Sequence, residues 1–464
     1  MPALRPLVLA VTLLAGGLMS ASATATAHPG LAPDVAIAHG PRLTYGSDGR
    51  GETRTWDCTR TVRPGQSVDA AIHAAGPHAV VCVRSGDYSG QIAHLAQPGS
   101  TLRAIGVVRL RSAVLSADRT TLDGFTLVGG TRYGHPQDGV LFGGQHQHIV
   151  NNVIDGHQLV YGIRCLQLKC NHALVYRNSV HNVQNYGLFI DNGTGSLIQQ
   201  NNVYDLWTPY ATSPFADDVD GVRFWGAQTF RFNYIHDINQ FKSKPFEGDT
   251  PHTDCFQTYN NDAESAGTVI EGNYCVRIGR QCLIAQNDEA NQYEIRDILF
   301  ANNVCETYDS QSINLGSMTH VKVINNLILS GFRYQVVSFE QQGLDEDPPV
   351  PGPPNADNTV QNNILVKARK DATFYEYIGA SKNEHIVDNL NVTDTSIAHL
   401  DPDFQRSRGA YPPERASDFS FYRSYSAARP VIDRGRPGNP TGRDIDAGPR
   451  VRGWAIDRGA YELG

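Results

Sequence analysis

The feature that most restricts the fold is a short phrase that keeps returning: Asn, any residue, then usually an aliphatic side chain. It reads "NNVI" from Asn151, "NSVH" from Asn178, "NNVY" from Asn201, "NYIH" from Asn233 and "NYCV" from Asn273. It continues as "NNVC" from Asn302, "NNLI" from Asn325, "NNIL" from Asn362 and a degenerate "NLNV" from Asn389, at intervals of 23 to 40 residues. A second phrase follows the earlier ones: "YGIRC" at 161, "YGLFI" at 186, "DGVRF" at 220, "DCFQT" at 254, "QCLIA" at 281, "QSINL" at 311 and "YQVVS" at 334. These are short strands with period-two alternation. Short strands at such a period, with almost no helical periodicity between them, make a solenoid. Each coil lies about 4.8 Å above the last, so like residues fall in columns. An inward Asn at a turn hydrogen-bonds the backbone and the Asn above it.

The ends of the chain differ. "MPALRPLVLAVTLLAGGLMSASATATA" has one Arg, an apolar run of about a dozen residues and a small-x-small site at Ala25-Thr26-Ala27. Residues 1–27 therefore read as a secretory signal peptide, and the mature chain as soluble, extracellular and monomeric. Residues 28–54 read as an N-terminal extension, 55–395 as the solenoid, and 396–464 as an irregular segment with the last coils. Ser67 N-caps a short helix through about Ala75, which covers the open first coil. The net charge of −8 becomes 38 − 47 = −9 without Arg5, which argues against nucleic acid or an anionic membrane as partner. Eight cysteines in an exported chain read as disulfides, with Cys58–Cys82 and Cys165–Cys170 paired by proximity.

The rhythm breaks twice. Most Asn-to-strand distances are 8 to 10 residues, but Asn201 to Asp220 is 19 and Asn233 to Asp254 is 21. Two adjacent coils thus carry insertions at one corner, and both deliver an Asp to the head of the next strand. Long ordered loops on a rigid scaffold usually serve function. Asp217, Asp218, Glu247, Asp249 and His252 lie nearby. If Val222 and Phe224 face inward, Arg223 and Trp225 face outward, and so do Cys255, Gln257 and Tyr259 in the next coil. That column offers aromatic faces for sugar rings with polar groups between them. The same alignment stacks Cys255 on Cys282 within disulfide range, and Cys275 stacks on Cys305 if Asn273 is matched to Asn303, one residue off that register, giving those two pairings. Alternation would bury Asp220 and Asp254, so both must sit at a corner where alternation fails. The Pro-rich insertion 344–357 reads as a rim loop.

From the Asn repeat and the phrases "DVDGVRF" and "HTDCFQT", the chain resembles the single-stranded right-handed parallel β-helix of pectate lyases and polygalacturonases, over roughly residues 55–395. The resemblance implies an all-β fold and a carbohydrate-active enzyme with catalytic aspartates at those phrases. The chain departs from the pattern at Thr253, and at Gln281, where a His would stand, so the resemblance does not extend to pectin as substrate. Two close carboxylates cannot both ionise easily, which equips a site for glycoside hydrolysis. The leading expectation is a glycoside hydrolase acting on a polysaccharide without a cofactor. Asp254 is its acid, Asp220 its base or nucleophile, Asp218 a substitute and His252 an assistant. Trp225, Tyr259, Arg223, Gln257, Arg280 and Lys244 bind substrate. A second expectation is a polysaccharide lyase, with Lys242, Lys244, Arg223 or Arg280 as base and Ca²⁺ on Asp217, Asp218, Glu247 and Asp249. A third is a surface glycan-binding protein without catalysis.

Overall fold

The computed structural model describes residues 45–463, except 54, 56, 130–136, 157–158, 166–169, 209–217, 239–250, 261–263, 288–292, 333, 345–347, 401–418, 430, 432–433, 437–441 and 452–454. The expected signal peptide lies outside the described residues. No helix among the described residues is long and apolar enough to cross a membrane.

The chain is a right-handed parallel β-helix. A 33-stranded sheet winds through it, and from Asp138 onward each coil contributes one strand to each of three faces, whereas the earlier strands Val80–Leu95 and Thr101–Leu115 run on round the corners. The first face carries Tyr161–Cys165, Tyr186–Ile190, Asp220–Phe224, Phe256–Tyr259, Leu283–Gln286, Ile313–Gly316 and Gln335–Glu340, in parallel register. The second face includes Ala227–Arg231, Val269–Glu271 and Leu299–Ala301. The third includes Asn202–Leu206, Tyr234–Ile238, Tyr274–Ile278, Val304–Thr307 and Leu327–Ser330.

The Asn column runs between the second and third faces. Asn152, Asn178, Asn201, Asn233, Asn273, Asn303, Asn326, Asn363 and Asn389 form one ladder, each side-chain amide donating to the next Oδ1 at 2.9–3.1 Å. The same Oδ1 accepts the backbone N–H of the preceding rung. In four tandem pairs the rung is the second Asn, one place beyond the start of the phrase. The first Asn (151, 302, 325 and 362) instead takes the left-handed turn, with φ of 56–58°. Asn tolerates that conformation better than most residues, so both members of the pair are used.

The helix Val68–Ala75 forms as expected. Ser67 Oγ accepts from the Ala70 N–H at 3.1 Å, and Val68, Ala71 and Ile72 are buried against the first coil. Arg50–Gly51 pairs antiparallel with the strand Thr101–Leu115. No described strand of the large sheet lies beyond Thr393. The helix Phe419–Ala427 and the segment around Tyr461 pack sideways on the third face, where the Tyr422 hydroxyl donates to Glu306 Oε2 at 2.7 Å.

Cys58–Cys82 and Cys165–Cys170 are bonded as expected. The other two pairings are corrected. Cys255 bonds to Cys275, with Cα atoms 5.9 Å apart, rather than to Cys282. Cys275 therefore does not pair with Cys305, and Cys282 and Cys305 are buried thiols. The stacking of Cys275 on Cys305 is correct, and Cys255 precedes Phe256 as Cys282 precedes its partner Leu283. What differs is direction: all four side chains point into the coil, so a sulfur meets its counterpart across its own coil.

Candidate active site

Two consecutive inward residues open the strands of the first face. Gly221 and Val222 both face the interior, as do Cys255 and Phe256. A Cβ on Gly221 would lie 2.4 Å from Ile235 Cγ2, so only glycine fits there. This doubled inward step turns the preceding residue outward, and Asp220 and Asp254 leave the apolar column at the corner, as the sequence requires.

The register then builds a two-by-two cluster. Asp218 bridges in parallel to His252, and Asp220 stands one coil below Asp254. The Asp254 N–H donates to Asp220 Oδ1 at 3.3 Å, and the Gln281 N–H donates to Asp254 Oδ1 at 2.8 Å. Each carboxyl keeps one buried oxygen, Oδ2, without a hydrogen-bond partner among the described residues. Asp220 and Asp254 are fully covered, whereas Asp218 and His252 form a partly exposed rim. His252 Nδ1 lies 3.9 Å from Asp254 Oδ2.

Arg223 is the cation of the cluster. Its Nη1 stands 3.5 Å from Asp218 Oδ2 and 3.7 Å from Asp220 Oδ2. Its guanidinium is boxed by the rings of Tyr259, Trp225 and Tyr186, at 4.6, 5.2 and 5.5 Å from their centroids. Burial pulls its pKa down, but Tyr186, Asp218 and Asp220 outweigh that and hold it raised.

Burial dominates the other titrations. It lifts the Asp254 carboxyl to about 7, with Asp218 adding to it and the Gln281 N–H, Arg280 and Arg223 opposing. It lifts Asp220 well above the carboxylate range, with Asp218 and Asp254 adding to it. It lowers His252 to about 4, helped by Arg280 and Arg223. Near neutral pH the cluster therefore holds at least one carboxylic acid beside a neutral imidazole.

The structure brings together Asp218, Asp220, His252, Asp254, Arg223, Arg280, Gln257 and Tyr259. Gln257 Nε2 donates to the Tyr259 hydroxyl at 2.8 Å. Trp225 is corrected: it is 2 % exposed, packs on Phe189 and donates its indole N–H to the Tyr259 carbonyl, so it offers no face to a sugar. Lys242, Lys244, Asp217, Glu247 and Asp249 lie outside the described residues, so Asp218 is the one described member of the calcium set. Tyr186 was missed. Its signal was position, since it stands in register with Asp220 one coil earlier.

No protein-family model and no curated protein matches the chain. Among solved structures it is similar to the A-module of a mannuronan C-5 epimerase from Azotobacter vinelandii, at 11% identity over 70% of this chain and 94% of that one, with a TM-score of 0.40. It is also similar to a pectate lyase, Pel9A, at 16% identity over 88% and 100%, with a TM-score of 0.43. A third similarity is to the catalytic unit of a GH87 α-1,3-glucanase from Streptomyces thermodiastaticus, at 12% identity over 77% and 71%, with a TM-score of 0.44.

Proposed function

We propose that the chain is an exported polysaccharide-degrading enzyme that hydrolyses a glycosidic bond at the Asp218–Asp220–Asp254 cluster. The observation that carries this is the pair of outward carboxyls on successive coils, each with a buried oxygen left unbonded and burial enough to keep a proton near neutral pH. Asp254 gives its proton to the glycosidic oxygen as the bond to the anomeric carbon breaks. Water adds its hydroxyl to that carbon, and its proton goes to Asp218, the carboxylate nearest solvent. The sequence gives that base role to Asp220; Asp218 takes it in this reading because it stands at the partly exposed rim, whereas Asp220 is fully covered. Neutral His252 borders Asp254 and accepts or relays the proton that returns to it. Arg223 is enclosed and charged, which suits it to positioning carboxylates and not to the proton abstraction a lyase needs.

The test uses the purified chain and a panel of neutral and uronate polysaccharides. New reducing ends without an ultraviolet-absorbing double bond are expected. A new double bond in the product would mean elimination and would sink the hydrolytic reading. Asp254→Asn is expected to lose at least about a hundredfold in kcat while melting normally; an active Asp254→Asn enzyme removes the acid assignment.

A further inference from the structure

The first face does not stop at the carboxyl cluster. Over the next coils its outward positions carry Gln257, Gln281, Asn314, Gln335 and Ser338, with one aliphatic residue, Ile284, in register between Gln257 and Asn314. Gln281 and Gln335 face outward because a doubled inward step follows each, at Cys282–Leu283 and Val336–Val337. Gln257, Asn314 and Ser338 face outward by alternation with Phe256, Ile313 and Val337. All five are more than nine-tenths buried. In each, one side-chain oxygen (Oε1 of Gln257, Gln281 and Gln335, Oδ1 of Asn314 and Oγ of Ser338) has no hydrogen-bond partner among the described residues.

Buried polar atoms normally find partners, and leaving one bare costs about 1–3 kcal/mol. Five bare oxygens in neighbouring columns of one face mark a surface made to receive donors. The tract spans about three coil spacings, roughly 14 Å, which suits a few sugar units in a row.

The charge around the tract narrows the ligand. Glu340 accepts from Asn314 Nδ2 at 3.3 Å, and Glu376 lies in register with Ser338 on the last coil. Against these stands Arg223, already committed to Asp218 and Asp220, and Arg280 at the cluster itself. A glycan carrying a carboxylate or sulfate on each unit would meet repulsion along this tract, while hydroxyl groups would meet acceptors.

We infer that the face carrying the carboxyl cluster continues as a binding tract for a neutral, hydroxyl-rich glycan, which rests on the reading of the chain as a polysaccharide-degrading enzyme. The side-chain oxygens of Gln281, Asn314 and Gln335 accept the sugar hydroxyls. Uronate polymers are not its ligands.

The test separates binding from turnover. The Asp254→Asn chain is titrated by calorimetry with a β-glucan, a xylan, a mannan and a galactan, and with polygalacturonate and alginate, at low and high salt. A neutral polymer is expected to bind with a Kd that salt leaves unchanged. Asn314→Leu and Gln335→Leu, in chains that melt normally, are each expected to weaken it about tenfold. Binding confined to the uronate polymers and lost in salt overturns the inference, as does binding of none of the neutral polymers or neutral binding that both substitutions leave intact. Cleavage is scored with the unsubstituted chain. Neutral glycan bound but never cut sinks the enzymatic reading and leaves the tract standing.

Discussion

At the scale of single residues, the site is a set of carboxyls whose protonation is governed by burial. Burial lifts the Asp254 carboxyl to about 7 inside the fold, well above the ordinary carboxylate range. The proton-donor role proposed for it then fixes one limb of the pH profile. The rate should fall as pH rises through about 7, and kcat against pH checks it. Linkage gives a second consequence. A carboxyl whose folded pKa is raised contributes stability that is fully present below about 4 and is lost as pH rises through about 7. His252 works in the opposite sense. Its folded pKa is lowered to about 4 from 6.5, so its contribution is present above 6.5 and is lost as pH falls through about 4. Asn at position 254 cannot ionise. The Asp254→Asn chain should therefore gain thermal stability over the parent at pH 8 and gain little at pH 5. Melting curves at the two values decide this, and an equal difference at both would show that Asp254 is not held protonated by its surroundings.

At the scale of the coil, one turn element and one hydrogen-bonded column do the positioning. Gly221 makes room for the doubled inward step that turns Asp220 outward. Gly221→Ala puts a methyl group against Ile235 and should cost about 1–3 kcal/mol. It should also lower activity beyond what the stability loss explains, because the carboxyl is re-aimed. The Asn column should be most sensitive in its middle. Asn273 accepts from Asn233 and donates to Asn303, so Asn273→Ala strips partners from both neighbours and should cost about 2–3 kcal/mol by denaturant titration. Asn389, half-buried and last in the ladder, should cost less. This column was legible in the sequence because identical side chains at one station of every coil leave a period. Which Asn of a tandem pair forms the rung was not legible, since both the rung and the left-handed turn favour Asn. The cysteines divide in the same way. Spacing told which coil each occupies, but not that residues 255 and 282 sit where two successive side chains point inward. Trp225 faces outward as alternation predicts but is covered, because Phe189 and the Tyr259 carbonyl, which enclose it, come from other coils.

At the scale of the whole molecule, the three faces divide the work. The first face holds the carboxyl cluster and the amide tract. The third is covered by the C-terminal segment, whose contacts no repeat announces and whose packing the sequence did not show. Tyr422 is the clearest tie between the two. Its hydroxyl donates to Glu306, a carboxylate only 5 % exposed, whose other oxygen is reached by the Tyr308 hydroxyl at 3.4 Å. Tyr422 itself lies in the cluster formed by Tyr274, Val304, Leu327 and Tyr461. Tyr422→Phe keeps that apolar packing and removes one donor from a buried carboxyl group, which should weaken the attachment by about 1–3 kcal/mol. A solenoid is held by contacts between neighbouring units, so the loss should stay local. Trypsin should then cut the segment 419–463 at Arg423 or Arg429 several times faster than in the parent, while the coils remain one resistant fragment. Turnover should be unchanged, because the substitution lies on a different face from the carboxyls. If activity fell in step with the cutting rate, the C-terminal segment would have to act on the catalytic face through the coils, and the division of labour between faces would be wrong.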